Sequence, residues 1–279
     1  MIDRWNKKVC FIAGAGHSGS TLLGLLLGSH SSSFYAGEAV KTKYLHNHTK
    51  LLHKRVCKFC GIDCPLWGNF FIQPSPDLYE QISQRVKRSL IIDSTKEINW
   101  LKVQIDQLLN INDITVFLIF LQRDGRAVVN SQLRKYPDRS PRSIIEKWQR
   151  HIRQTKILFD QFPSPKTIVQ YEELATQPAI IIQQLCTFLQ IRYEPEMLNY
   201  SQVNHHVLGG NNGTQFLVAQ AQKQEKAFVT LSDRSRDYYT HHDDQIRLDL
   251  RWKTELSPAI QSLFASLVGT DNHGMQWGE

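Results

Sequence analysis

The stretch Val9-Cys-Phe-Ile-Ala-Gly-Ala-Gly-His-Ser-Gly-Ser-Thr-Leu-Leu-Gly-Leu-Leu-Leu-Gly28 constrains the chain most. A β-branched and aromatic run, a glycine-rich turn and an apolar helical run follow one another, which predicts a buried strand, a tight turn and a helix. Glycines at 14, 16 and 19 let the backbone turn sharply and approach an anion. The first amides of the helix then point outward, unpaired, at the positive end of its dipole. Such a turn is a phosphate cradle, although the same glycines could serve helix–strand packing alone.

The spacing Gly14-x4-Gly19-Ser20-Thr21 resembles the P-loop of nucleotide triphosphatases, Gly-x4-Gly-Lys-Ser/Thr, with serine where the lysine would stand. That lysine reaches the β- and γ-phosphates, so its loss suits a ligand with a shorter 5′ chain. His17, three positions before Ser20, is a different basic-capable residue in the same loop.

Alternation continues downstream. Phe34 to Glu38 reads as a short extended piece, Asp77 to Lys87 as a helix and Ser89 to Asp93 as a buried strand ending in Ser94-Thr95-Lys96. Trp100 to Leu109 is helical, and Ile114 to Leu121 is an apolar run of the kind found in central parallel strands. Arg123 and a helix from Ala127 follow, then a helix from Ser143 to Phe162, a strand from Lys166 to Tyr171 and a helix from Ile180 to Leu189. This order predicts one α/β domain over residues 1–279, a three-layer fold with a central parallel sheet flanked by helices. Its ligands should gather at the carboxyl ends of the strands. Residues 40–75 read as an irregular substrate-side insertion, 199–245 as a polar lid, and a helix after Ser257-Pro258 closes the chain.

Composition adds limits. With 33 basic and 26 acidic residues the net charge is +7, which favours anionic ligands but is too scattered to argue for nucleic acid. No apolar run approaches the ~20 residues a membrane span needs, Leu22 to Leu27 being broken by Gly24 and closed by Gly28, so no membrane partner is expected. The polar Met1–Lys8 leads straight into the first strand, so a cytoplasmic protein without a leader is expected. Oligomeric state is not set by these features.

Five segments in order carry a family resemblance: Gly16-His-Ser-Gly-Ser-Thr-Leu-Leu23, Asp93-Ser-Thr-Lys96, Arg123-Asp-Gly-Arg-Ala-Val-Val-Asn-Ser131, Tyr171-Glu-Glu-Leu174 and Arg251-Trp-Lys-Thr-Glu-Leu-Ser257. Together they resemble the signatures of sulfotransferases that use 3′-phosphoadenosine 5′-phosphosulfate (PAPS), of the bacterial small-molecule type. The resemblance implies that backbone amides of Ser18, Gly19, Ser20 and Thr21, with the Ser20 and Thr21 hydroxyls, hold the 5′-phosphosulfate. It assigns the 3′-phosphate to Arg123 and Ser131, an arginine at a strand end and a serine about two helical turns on, which can converge on one anion. A salt bridge to Asp124 is the ordinary alternative for Arg123.

Sulfuryl transfer needs a base, donors on the sulfuryl oxygens and leaving phosphate, and in-line placement. Glu38, 17 residues after Thr21, resembles the base of tyrosylprotein sulfotransferases, with an ion pair to Lys41 as its bland alternative. Lys96 resembles the lysine that touches the bridging oxygen, with Asp93 as its partner or, preferably, as part of a strand-end turn. His17 stands where the family usually has arginine or lysine; it is expected to contact the ligand, as a neutral donor or as a cation, and to serve as backup base. Tyr171 is expected on the adenine or in the core. Asn204 to Asn211 resembles the late cofactor loop, with Asn211 as a contact and Thr214-Gln-Phe216 in place of its usual arginine.

The resemblance implies a small hydroxyl- or nitrogen-bearing acceptor, with saxitoxin-type guanidinium alkaloids as a lead because Glu38, Asp243 and Asp244 suit a cation. A P-loop kinase with Asp93 on magnesium, and a silent nucleotide-binding module, are the competing readings. Separately, His53-x3-Cys57-x2-Cys60-x3-Cys64 offers four soft ligands for a structural zinc, while packed free thiols are the alternative. Cys10 and Cys186 read as core.

Overall fold

The computed structural model describes residues 4–223, 228, 229, 231, 233–240 and 245–278. Five parallel strands form one sheet in the order β2-β3-β1-β4-β5: β1 (Lys8–Ala13), β2 (Ser33–Gly37), β3 (Leu90–Asp93), β4 (Thr115–Gln122) and β5 (Lys166–Gln170). The apolar runs at 9–13, 90–92 and 116–121 are buried on both sides, which is why they read as continuous rather than alternating.

Helices α1 (Ser20–Gly28), α2 (Leu78–Val86), α3 (Ile98–Leu109), α4 (Gly125–Lys135), α5 (Pro141–Gln161), α6 (Tyr171–Thr176) and α7 (Pro178–Phe188) alternate with these strands. Aromatic pairs show the layering. Phe117 of β4 meets Phe188 of α7, whereas its neighbour Phe120 meets Phe159 of α5. Successive residues of a strand face opposite ways, so α7 and α5 cover opposite faces of the sheet. Phe11, in register with Leu118, touches Tyr79 of α2 on the α5 side. Tyr35, in register through Ile92 and Cys10 with Phe117, lies under α1 on the α7 side.

Helix α1 approaches the sheet closely because it has glycine where it crosses Tyr35. A methyl group on Gly24 would lie 2.3 Å from the Tyr35 ring, which is 2% exposed and cannot move away. Gly24→Ala is therefore expected to cost about 1–3 kcal/mol by overpacking, more than the ~1 kcal/mol that alanine gains as a helix former. Urea denaturation checks this, and a variant more stable than the parent would refute the packing argument.

Residues 40–75 contain two short 3-10 turns, Ala39–Tyr44 and Leu52–Lys54, and no α-helix or strand. Trp67 and Phe70 nevertheless anchor the segment in the core. The 199–245 stretch departs from a plain polar lid. It carries α8 (Asn212–Ala221), whose Leu217, Val218 and Ala219 are buried, and α9 (Asp233–Thr240). Asn211 caps α8 by accepting from the Thr214 amide at 3.0 Å, which starts a helix the polar neighbours obscured. Short α10 (Trp252–Glu255) and α11 (Pro258–Val268) end the fold. Among the described residues no helix is long and apolar enough to cross a membrane.

Candidate active site

Each strand delivers one group to the same edge of the sheet. Glu38 follows β2, Lys96 lies just beyond β3, the Gly14–Gly19 turn follows β1, Arg123 follows β4 and Tyr171 follows β5. They line a single cleft of about 290 Å³ with Gly16, His17, Gly19, Ser20, Thr21, Ser131 and Asn211. The sequence-predicted residues thus converge, with Ser18 as the exception. Ser18 is buried beneath the turn, and its amide donates to the Ala15 carbonyl at 3.2 Å. The amides of Ser20, Thr21 and Leu22, at the start of α1, have no acceptor within the helix, and all three residues line the cleft.

The turn is held tightly. Gly19 adopts φ +95°, and a Cβ there would lie 2.3 Å from the Tyr171 ring, so only glycine lets the loop rest on that tyrosine. Gly16 has nothing within 4 Å of its would-be Cβ, which leaves space above the turn. His17 also takes a positive φ, 73°. Its Nδ1 lies 2.8 Å from Ser131 Oγ, and its carbonyl accepts from Arg123 Nη1 at 2.9 Å. Burial, aided by the Lys135 and Arg123 cations, lowers the imidazole to about 3, so His17 is neutral in the ligand-free protein.

Arg123 does not pair with Asp124, whose carboxylate instead binds Arg126. Its guanidinium stacks 4.2 Å from the Tyr171 ring centre and pairs with Asp249 at 3.4 Å. Tyr171, expected on the adenine or in the core, is buried and carries Arg123 against its ring. Asp249 also grips Arg251 through two contacts of 2.7 Å, and Arg251 lies 3.5 Å from the Tyr238 ring centre. These two cations hold the Asp249 carboxyl well below the usual carboxylate range against the effect of burial.

On the opposite side Lys96 Nζ donates to the Ile12 carbonyl at 3.4 Å. Burial lowers its ammonium to about 8, opposed by the charges of Glu38 and Asp93. Asp93 is a strand-end turn group: it accepts from the Ala39 and Thr95 amides, the Thr95 hydroxyl and the Tyr79 hydroxyl. Glu38 accepts from the Gly210 amide at 3.3 Å and lies 3.6 Å from Lys41 Nζ, the ion pair foreseen as its bland alternative. Asn211 reaches the cleft, but its side-chain oxygen is engaged in capping α8 and its amide donates to Thr21 Oγ1 at 2.8 Å.

Among the described lining residues, Lys96, Arg123, Lys135, Arg247 and Arg251 face two carboxylates, Glu38 and Asp249. Arg123 Nε and Arg251 Nη1 are buried without a partner. A surplus of cations, unpartnered guanidinium donors and open helix amides fit a multiply charged anion. Lys135, four residues beyond Ser131 on α4, could have been found from helical spacing. Arg251 heads the last of the five segments, but the pairing of Asp249 with Arg123 was not legible in the sequence, since it needs the distant carboxyl-terminal segment brought against Arg123. Asp243 and Asp244, expected to suit a cationic acceptor, lie outside the described residues. The zinc expectation is corrected at one ligand: His206 completes the cluster with Cys57, Cys60 and Cys64, while His53 is exposed in a separate 3-10 turn.

No protein-family model matches the chain. A Caenorhabditis briggsae protein named "Putative protein-tyrosine sulfotransferase" is 31% identical over 98 residues, 33% of this chain and 33% of that protein. The match thus spans about a third of the curated relative's length. Among solved structures, the sulfotransferase domain from the curacin biosynthetic pathway superposes with a TM-score of 0.59 and 20% identity, over 95% of this chain and 98% of that one. The sulfotransferase domain of the Synechococcus olefin synthase gives 0.55 and 17%, over 95% and 97%. A mouse sulfotransferase complexed with PAP gives 0.50 and 12%, over 97% and 85%. The resemblance carried by the five sequence segments is therefore borne out at the level of the backbone, and the chain has the sulfotransferase fold.

Proposed function

We propose that the protein is a PAPS-dependent sulfotransferase acting on a hydroxyl or nitrogen of a small metabolite. The observation that supports it best is the convergence of a carboxylate, a half-buried lysine and two anion-binding groups at the carboxyl edge of one parallel sheet. PAPS, when bound, supplies a sulfuryl group already activated by its phosphate leaving group. The α1 amides and the Ser20 and Thr21 hydroxyls hold the 5′ end, and Arg123 with Ser131 holds the 3′-phosphate. Glu38 takes the proton from the acceptor as its oxygen or nitrogen bonds to sulfur. Lys96 offsets the charge left on the departing phosphate. The products are the sulfated acceptor and adenosine 3′,5′-bisphosphate.

A cytoplasmic setting is part of this reading. The test is a mass-spectrometric screen of acceptor mixtures with PAPS, including alcohols, amines and saxitoxin-type guanidinium alkaloids, for the gain of one sulfuryl group. Transfer of phosphate from ATP in the same screen would overturn the proposal in favour of a kinase.

A binding prediction separates the two ends of the nucleotide. Arg123→Ala should weaken adenosine 3′,5′-bisphosphate binding about 10–100-fold, the worth of one lost charge-assisted contact. Binding of adenosine 5′-monophosphate, which has no 3′-phosphate, should change far less. Equal loss for both ligands in titration calorimetry would mean that Arg123 only braces the loop through the His17 carbonyl.

A further inference from the structure

Outside the cleft, four soft donors from two distant parts of the chain meet. The Sγ atoms of Cys57, Cys60 and Cys64 and a ring nitrogen of His206 all lie within 4.8 Å of one another. His206 Nδ1 is 3.2 Å from Cys60 Sγ and 3.5 Å from Cys64 Sγ. Those separations approach the edges of a tetrahedron around zinc, about 3.5–3.8 Å for Zn–S near 2.3 Å and Zn–N near 2.1 Å.

The backbone is shaped for this. Gly61, at φ +70°, donates its amide to the Cys57 carbonyl at 3.1 Å, closing a tight turn that puts Cys57 and Cys60 side by side. The Trp67 amide points at Cys64 Sγ from 3.5 Å, and Trp67 Nε1 donates to the His206 carbonyl at 2.7 Å. Cys57 and Cys64 are buried. A disulfide would use two of the three thiols and leave the third thiol and the imidazole converging on nothing. A metal uses all four.

We propose that Cys57, Cys60, Cys64 and His206 bind one Zn²⁺ in a closed S₃N site that fastens residues 57–64 to the segment 206–210. With four protein ligands the ion has no open position, so its role is structural. The fastened segment runs directly to the cleft. Lys58 donates its amide to the Val207 carbonyl at 3.0 Å, Glu38 to the Leu208 carbonyl at 2.7 Å, and Gly210 to the Glu38 carboxylate. The ion thus steadies the loop against which Glu38 rests; only this last consequence depends on Glu38 being the base.

Elemental analysis of the full-length protein, purified without chelator and dialysed against metal-free buffer, is expected to show about one zinc per chain. X-ray absorption should show three sulfur ligands near 2.3 Å and one nitrogen near 2.1 Å. His206→Ala and Cys60→Ser should lose the ion, His206→Cys should retain it as a four-thiolate site, and His53→Ala should leave it in place. Chelation should lower Tm by about 5 °C or more. Parent protein that takes up less than about 0.1 equivalent even after incubation with Zn²⁺ overturns the proposal, as does loss of the ion from His53→Ala but not from His206→Ala. These measurements do not use PAPS, so their failure is distinct from failure of the sulfotransferase reading.

Discussion

Glu38→Gln is expected to lower kcat about 10²–10⁴-fold, the usual worth of a positioned general base, while leaving adenosine 3′,5′-bisphosphate affinity unchanged. Glutamine keeps the shape of the side chain and an oxygen to accept from the Gly210 amide, but cannot take a proton. The Lys41 ion pair would be lost. That pair is partly exposed on both sides, and such pairs contribute at most about 1 kcal/mol, so the fold should survive. A steady-state assay with PAPS and the acceptor found in the screen provides the readout. If kcat were unchanged and His17→Asn carried the loss instead, the histidine would be the base. The neutral state of His17, with one ring nitrogen already against Ser131, leaves it a single free nitrogen for that task. If neither variant lost activity, Glu38 would be no more than the partner of Lys41.

What could be foreseen from the sequence followed from the range of the forces involved. Strands β1, β3 and β4 are local runs of buried apolar residues, and the polar groups just past their ends must lie at one edge of a parallel sheet. That places the Gly14–Gly19 turn, Lys96 and Arg123 without further information. The partners of those groups were hidden because they come from far along the chain: Asp249 meets Arg123 across 126 residues, and His206 meets Cys60 across 146. His53 was the nearer histidine and so the natural choice in sequence, but its 3-10 turn leaves it exposed. Helix α8 was missed for another reason. Its start, Gly209-Gly-Asn-Asn-Gly213, has the composition of a loop, and only the Asn211 cap and the buried face of residues 217–219 make it a helix.

Lys96 provides the other large effect, and pH can separate its chemistry from its packing. Lys96→Ala should lower kcat about 10²–10³-fold if the ammonium stabilises the leaving phosphate. Because burial lowers this lysine to about 8, the charge is present below that pH and is lost as pH rises through it. In kcat/KM for PAPS, which reports the free enzyme, an alkaline limb should therefore fall near pH 8. Lys96→Arg, which keeps a charge at every accessible pH, should move that limb upward even if the maximum rate drops. Stability runs the other way. An unfolded lysine stays protonated to about 10.4, so between about 8 and that value the unfolded chain binds more protons and folding becomes more favourable as pH rises. Keeping this half-buried cation at neutral pH is thus unfavourable to folding, and Lys96→Met should be as stable as the parent or more so. A parent enzyme whose activity and stability both decline together above pH 8 would mean that Lys96 is a structural cation rather than a partner of the leaving group.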